Sequence, residues 1–81
     1  MDIQEIKEKV SEFLVEEFEI DENLIIDDAR LKEDLGIDSL EIVDVVVLVE
    51  STFGYKIKSE DFVNLKTYGQ FCSFIQQKVN A

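Results

Sequence analysis

EIVDVVVLVESTF, residues Glu41–Phe53, is the stretch on which the fold turns. Its five valines and one isoleucine favour an extended strand when read one residue at a time. Three features point instead to a helix. Asp38 and Glu41 have the spacing of a capping box, an acceptor at the N-cap and a carboxylate three positions later that can reach back. Gly54 stands where a left-handed C-cap falls. Ile42, Val45, Val46, Val49 and Phe53 recur at i, i+3, i+4, i+7 and i+11, a full stripe along one helical face. The spacing predicts a helix from Ser39 to about Phe53.

On the N-terminal side, Ile3, Ile6, Val10, Phe13 and Leu14 repeat at helical spacing among charged residues, predicting an amphipathic helix from about Asp2 to Glu17. From Glu19 to Asp38 the periodicity breaks into short apolar knots, Leu24 to Ile26, Leu31, Leu35 and Ile37. This reads as a long ordered loop pinned by those residues, with room for one helical turn. On the C-terminal side, Ser59 to Lys66 suggests a helix of one or two turns. Thr67 and Gln70 then open a last helix whose core face is Tyr68, Phe71, Cys72, Phe74, Ile75 and Val79, slightly weakened by Gly69. With no proline and no hairpin turn, the class is all-α: a small antiparallel four-helix bundle, three longer helices and one short, with a long loop between the first two. At 81 residues there is apolar surface for one core, so residues 1–81 are read as a single domain.

Nineteen acidic residues against eight basic ones give a net charge of −11, which repels a phosphate backbone and argues against nucleic acid as a ligand. Basic protein surfaces remain suitable partners, and acidity for solubility alone is the plainer reading. The lone Cys72 allows no intramolecular disulfide and fits a small buried hydrophobe. MDIQEIKEKV lacks the basic start and apolar run of a signal peptide, and no segment has the length to cross a bilayer, so the expectation is a cytoplasmic protein without membrane attachment.

Off the core stripe of the second helix lie Leu40, Val43 and Val47, beside Glu41 and Asp44. Either the helix is central and buried all round, or these form an apolar docking strip with an acidic rim. At its head stands Ser39. A nucleophilic serine needs a base, and the chain has no histidine and no G-x-S-x-G elbow. An acid pair such as Asp34 and Asp38 lacks an enclosed cleft to work in. The acids do not alternate as an EF-hand loop requires, so no metal site is expected. If Asp38 is the N-cap, Ser39 falls at the first helical position. There its hydroxyl has no structural duty and sits at the positive helix end, a place that suits a phosphate ester.

E-D-L-G-I-D-S-L-E, Glu33–Glu41, resembles the prosthetic-group attachment motif of acyl carrier proteins, and the likeness extends over nearly the whole chain. The resemblance implies a non-catalytic monomeric carrier. Ser39, next to Asp38, would be esterified with 4'-phosphopantetheine delivered from coenzyme A by a phosphopantetheinyl transferase, and acyl groups would ride on the arm's thiol as thioesters. Leu40, Val43 and Val47 with Glu41, Asp44 and Glu50 would meet basic surfaces on acyl-loading and acyl-processing enzymes of fatty-acid or more specialised pathways. The positions matching the family's acyl pocket are Leu31, Val49, Ile57, Phe62, Leu65, Phe71 and Ile75. Phe62 and Phe71 stand where smaller residues are common, which implies a reduced cavity. An aminoacyl or D-alanyl carrier, or an unmodified acidic helical interaction module, is the alternative.

Overall fold

The computed structural model describes residues 2–80. Among them are three α-helices, α1 (Ile3–Phe18), α2 (Ser39–Phe53) and α3 (Tyr68–Val79), and two short 3-10 segments, Glu22–Leu24 and Ser59–Asn64; no strand is present among the described residues. Each α-helix starts at a side chain that accepts otherwise unpaired amides. Asp2 accepts from Glu5, Asp38 from Leu40 and Glu41, and Thr67 from Gln70. The valine-rich stretch is helical because these local signals agree with the period of its apolar face, and tertiary burial outweighs the modest cost of β-branched residues in a helix. Gly54 closes α2 at φ 73°, a left-handed conformation that costs glycine little.

The core is shared by all three helices and the loop. Ile6, Val10 and Leu14 from α1, Val49 from α2, Ile57, and Phe71, Cys72 and Ile75 from α3 are almost wholly buried. At roughly 1.5–3 kcal/mol for each large apolar side chain removed from water, these contacts supply most of what opposes chain entropy. Ile42, Val46 and Phe53 pack at the edge of this core, as do Phe74 and Val79. Tyr68 is buried too, and its hydroxyl donates to the Lys7 carbonyl at 2.8 Å, tying α3 to α1.

Three expectations change. The short helix after Gly54 is a 3-10 segment that ends at Asn64. It lies between the buried Ile57 and Lys66, whose carbonyl accepts from Leu31, and is held by short i to i+3 bonds, Asp61 to the Lys58 carbonyl and Leu65 to the Phe62 carbonyl, with the Asp61 carboxylate accepting from the Lys58 amide at its start. Leu24 and Ile26 do not pin the loop, being more than half exposed; Ile20 and Ala29 are buried in their stead, with Leu31, Leu35 and Ile37. Gly69 has a positive role. A Cβ there would approach the Asp27 carbonyl to 3.0 Å, and the Gly69 amide donates to that same oxygen, so the missing side chain lets α3 meet the loop backbone.

With so large an excess of negative charge, self-repulsion opposes the fold. The melting temperature is expected to rise with added sodium chloride as the charges are screened. A thermal melt that does not respond to salt would contradict this.

Candidate functional site

The loop between α1 and α2 holds Ser39 in place. Leu31 donates to the Lys66 carbonyl at 2.9 Å and Tyr68 to the Ala29 carbonyl at 2.8 Å, which stitches the loop to the start of α3. Within the loop, the Arg30 amide donates to the Asp34 carboxylate at 2.8 Å and the Asp34 amide returns to the Arg30 carbonyl at 2.9 Å. The Arg30 guanidinium also pairs with Asp34 and Glu33. The backbone hydrogen bond from Arg30, then its side chain, hold the Asp34 carboxyl below its usual range. This lock is therefore complete at neutral pH and lost only as acid protonates Asp34. Gly36, at φ 71°, turns the chain, and Ile37 buries itself while its amide donates to the Leu31 carbonyl at 2.8 Å.

Asp38 follows with an extended backbone, and one carboxylate oxygen accepts from the Leu40 and Glu41 amides at 3.0 and 3.1 Å. That is the Asp38 half of the predicted box. Ser39 becomes the first residue of α2, exposed, its hydroxyl engaged in no hydrogen bond among the described residues. Asp38→Ala removes the cap and is expected to cost about 1 kcal/mol of stability, read as a lower urea midpoint at unchanged slope. An unchanged midpoint would show that the cap is dispensable.

Ser39 lines a groove of 390 Å³ together with Leu31, Ile37, Ile42, Phe62 and Leu65, with Arg30, Lys32, Glu33 and Lys66 completing its walls. Of the seven residues matched to an acyl pocket, Leu31, Phe62 and Leu65 line this groove. Phe71 lies deeper, stacked on Phe62 with ring centroids 5.5 Å apart, and Val49, Ile57 and Ile75 are core residues outside the groove lining. Ile37 and Ile42, expected in the core from the sequence, also line the groove. Ile42 could have been found from its position three residues after Ser39, on the same helical face. A larger open hollow of 660 Å³, lined by Ile3, Asp27, Gly69 and Phe74 among others, does not include Ser39.

Along α2 the choice between a buried and a one-sided helix is settled. Leu40, Val43 and Val47 are 81%, 58% and 59% exposed, while Val45 and Val49 on the core side are 2% or less. Asp44 and Glu50 are exposed and Glu41 half-buried. Val63, on the second 3-10 segment, is a further exposed apolar side chain that periodicity does not single out.

No base is placed on the Ser39 hydroxyl. The chain has no histidine, and the neighbouring Asp38 carboxylate faces helix amides. Among the described residues no cluster of three or more metal-binding side chains occurs, and no helix is long and apolar enough to cross a membrane. Cys72 is fully buried, and burial pushes its thiol up to about 12. What the site offers is an uncovered primary hydroxyl at a helix N-terminus, above an apolar groove and beside an acidic-rimmed apolar strip.

Comparison with known proteins gives concordant results. Residues 8–75 match the family described as "Phosphopantetheine attachment site". The chain is 38% identical over 76 residues to the acyl carrier protein of Thermotoga maritima, covering 94% of each chain. It is 37% identical over 76 residues to that of Petrotoga mobilis, covering 94% of this chain and 89% of the relative. The acyl carrier protein of Phytoplasma mali is 36% identical over 75 residues, covering 93% of this chain and 89% of the relative.

Proposed function

The chain belongs to the acyl carrier protein family, and from that premise we propose that Ser39 is the residue esterified with 4'-phosphopantetheine. As a family member it carries acyl intermediates. The observation that favours Ser39 is its hydroxyl, exposed and without hydrogen bonds among the described residues, at the first position of α2. When attached, the group supplies a flexible arm ending in the thiol that forms the acyl thioester. Ser39 contributes the ester oxygen, Asp38 fixes the start of the helix, and the positive end of α2 favours the negative charge of a phosphodiester. With no base on the hydroxyl, activation belongs to a phosphopantetheinyl transferase, and the chain itself is substrate and shuttle and not a catalyst.

Acyl-loading and acyl-processing enzymes with basic surfaces engage the exposed side of α2. Leu40, Val43 and Val47 form the apolar centre of that contact, and Glu41, Asp44 and Glu50 the charged rim that speeds encounter. The chain acts as one carrier unit, a monomer, in the reducing cytoplasm, with the second 3-10 segment in the place of the short helix of a four-helix bundle.

Loading from an acyl-coenzyme A by a broad-specificity transferase, followed by neutral hydroxylamine, tests the thioester. The expected result is loss of the acyl group and the appearance of one fast-reacting thiol. Cys72 does not mimic that signal, because it is fully buried and burial raises its pKa, which keeps the thiol protonated and shielded near pH 8. An acyl group that survives hydroxylamine would overturn the thioester.

A further inference from the structure

The groove beneath Ser39 stops at a wall. Leu31, Ile37 and Phe62 line the groove on one side and, on the other, a separate apolar void of 10 Å³ whose remaining lining is Leu14, Val45 and Phe71. The void is about the size that admits one water, and its lining carries no polar surface, so it is a packing defect and not a chamber. Of the three shared residues Phe62 is the largest, and its ring is backed by Phe71 at 5.5 Å with the planes 27° apart. Both rings are buried, Phe62 to 8% exposure and Phe71 to 2%. A chain entering from the groove would have to displace an aromatic ring held by a second one in a close-packed interior.

We propose that Phe62 is the wall that confines the cargo to the outer groove, so that this carrier shelters short acyl chains and leaves longer ones outside its core. The inference rests on attachment at Ser39. Its physical content is that the groove and the void are separated by one side chain's thickness, and that this side chain sets the length of apolar cargo removed from water. Of these two compartments, Ile42 and Leu65 line the groove and not the void, whereas Leu14 and Val45 line the void and not the groove, so each has its own reporters.

The experiment uses the full chain, loaded with acetyl, butyryl, hexanoyl, octanoyl or decanoyl phosphopantetheine, with intact mass measured before methyl NMR. Ile42 and Leu65 methyls are expected to shift from the shortest acyl chains onward. Leu14 and Val45 methyl shifts are expected to level off by hexanoyl in the wild type and to keep growing to decanoyl in Phe62→Ala. Phe62→Leu provides the same comparison with a milder truncation if the alanine variant does not fold. Absence of the mass increment would overturn attachment and the wall together. With normal loading, the wall alone would be overturned by any of three results: Leu14 and Val45 shifts that grow steadily to decanoyl in the wild type, no response at Ile42 or Leu65, or the same plateau in wild type and folded variants.

Discussion

Ser39→Ala is expected to abolish transfer of phosphopantetheine from coenzyme A while leaving the fold intact. The hydroxyl takes part in no hydrogen bond among the described residues, and Asp38, not Ser39, caps α2. Losing one exposed oxygen should therefore change stability by no more than about 0.5 kcal/mol, the usual range for surface substitutions. The chemistry, in contrast, has no substitute, since the ester needs that oxygen. A variant that folds like wild type but takes up no group separates attachment from structure. One that is still modified would place the arm elsewhere.

The second large effect concerns recognition. Asp44→Lys with Glu50→Lys is expected to lower kcat/KM for the transferase roughly 10–100-fold at low ionic strength, with the difference narrowing as salt is added. Both side chains are exposed and outside the capping contacts, so the fold does not depend on them. Glu41 is a poorer choice for this test because it lies in the first turn of α2, where its charge also meets the helix dipole. Stability should hold or rise, because the substitutions reduce the excess negative charge and the second of them puts a cation near the C-terminal end of the helix. Steady-state kinetics across a salt series measures the effect. An unchanged kcat/KM at low salt would remove the acidic rim from the account of docking.

The parts of the fold that are legible in the sequence are those in which local signals coincide. Asp38, Gly54 and the spacing from Ile42 to Phe53 each specify the same helix, and α2 runs from Ser39 to Phe53 as they indicate. The same holds for Thr67 and Gln70 at α3, where both halves of the capping box form. The loop is harder to read because its order comes from contacts distant in sequence. Leu31 bonds to Lys66, Ala29 to Tyr68 and Asp27 to Gly69, and no local pattern announces such partners. For that reason Leu24 and Ile26, whose apolar character suggests burial, lie outside. The 3-10 segment Ser59–Asn64 likewise sits between two positions fixed by distant contacts, Ile57 in the core and Lys66 on the loop.

At the candidate site, the exposure of Ser39 follows from the assignment of Asp38 as the N-cap, a local inference. Which side of α2 faces outward follows from periodicity, and Leu40, Val43 and Val47 are exposed as the one-sided reading requires. The groove is not legible in that way. It is formed by the loop, α2 and the segment before α3, so Ile37, Ile42 and Leu65 come together only once the chain has folded. The stacking of Phe62 on Phe71 has the same origin, since a sequence shows two large residues but not that their rings meet.

The carrier assignment at Ser39 is tested most directly by peptide-level mass mapping of the wild-type chain after incubation with coenzyme A and a phosphopantetheinyl transferase. A single phosphopantetheine is expected, localised by fragmentation to Ser39. A chain that remains unmodified, or that bears the group on any other residue, would contradict it.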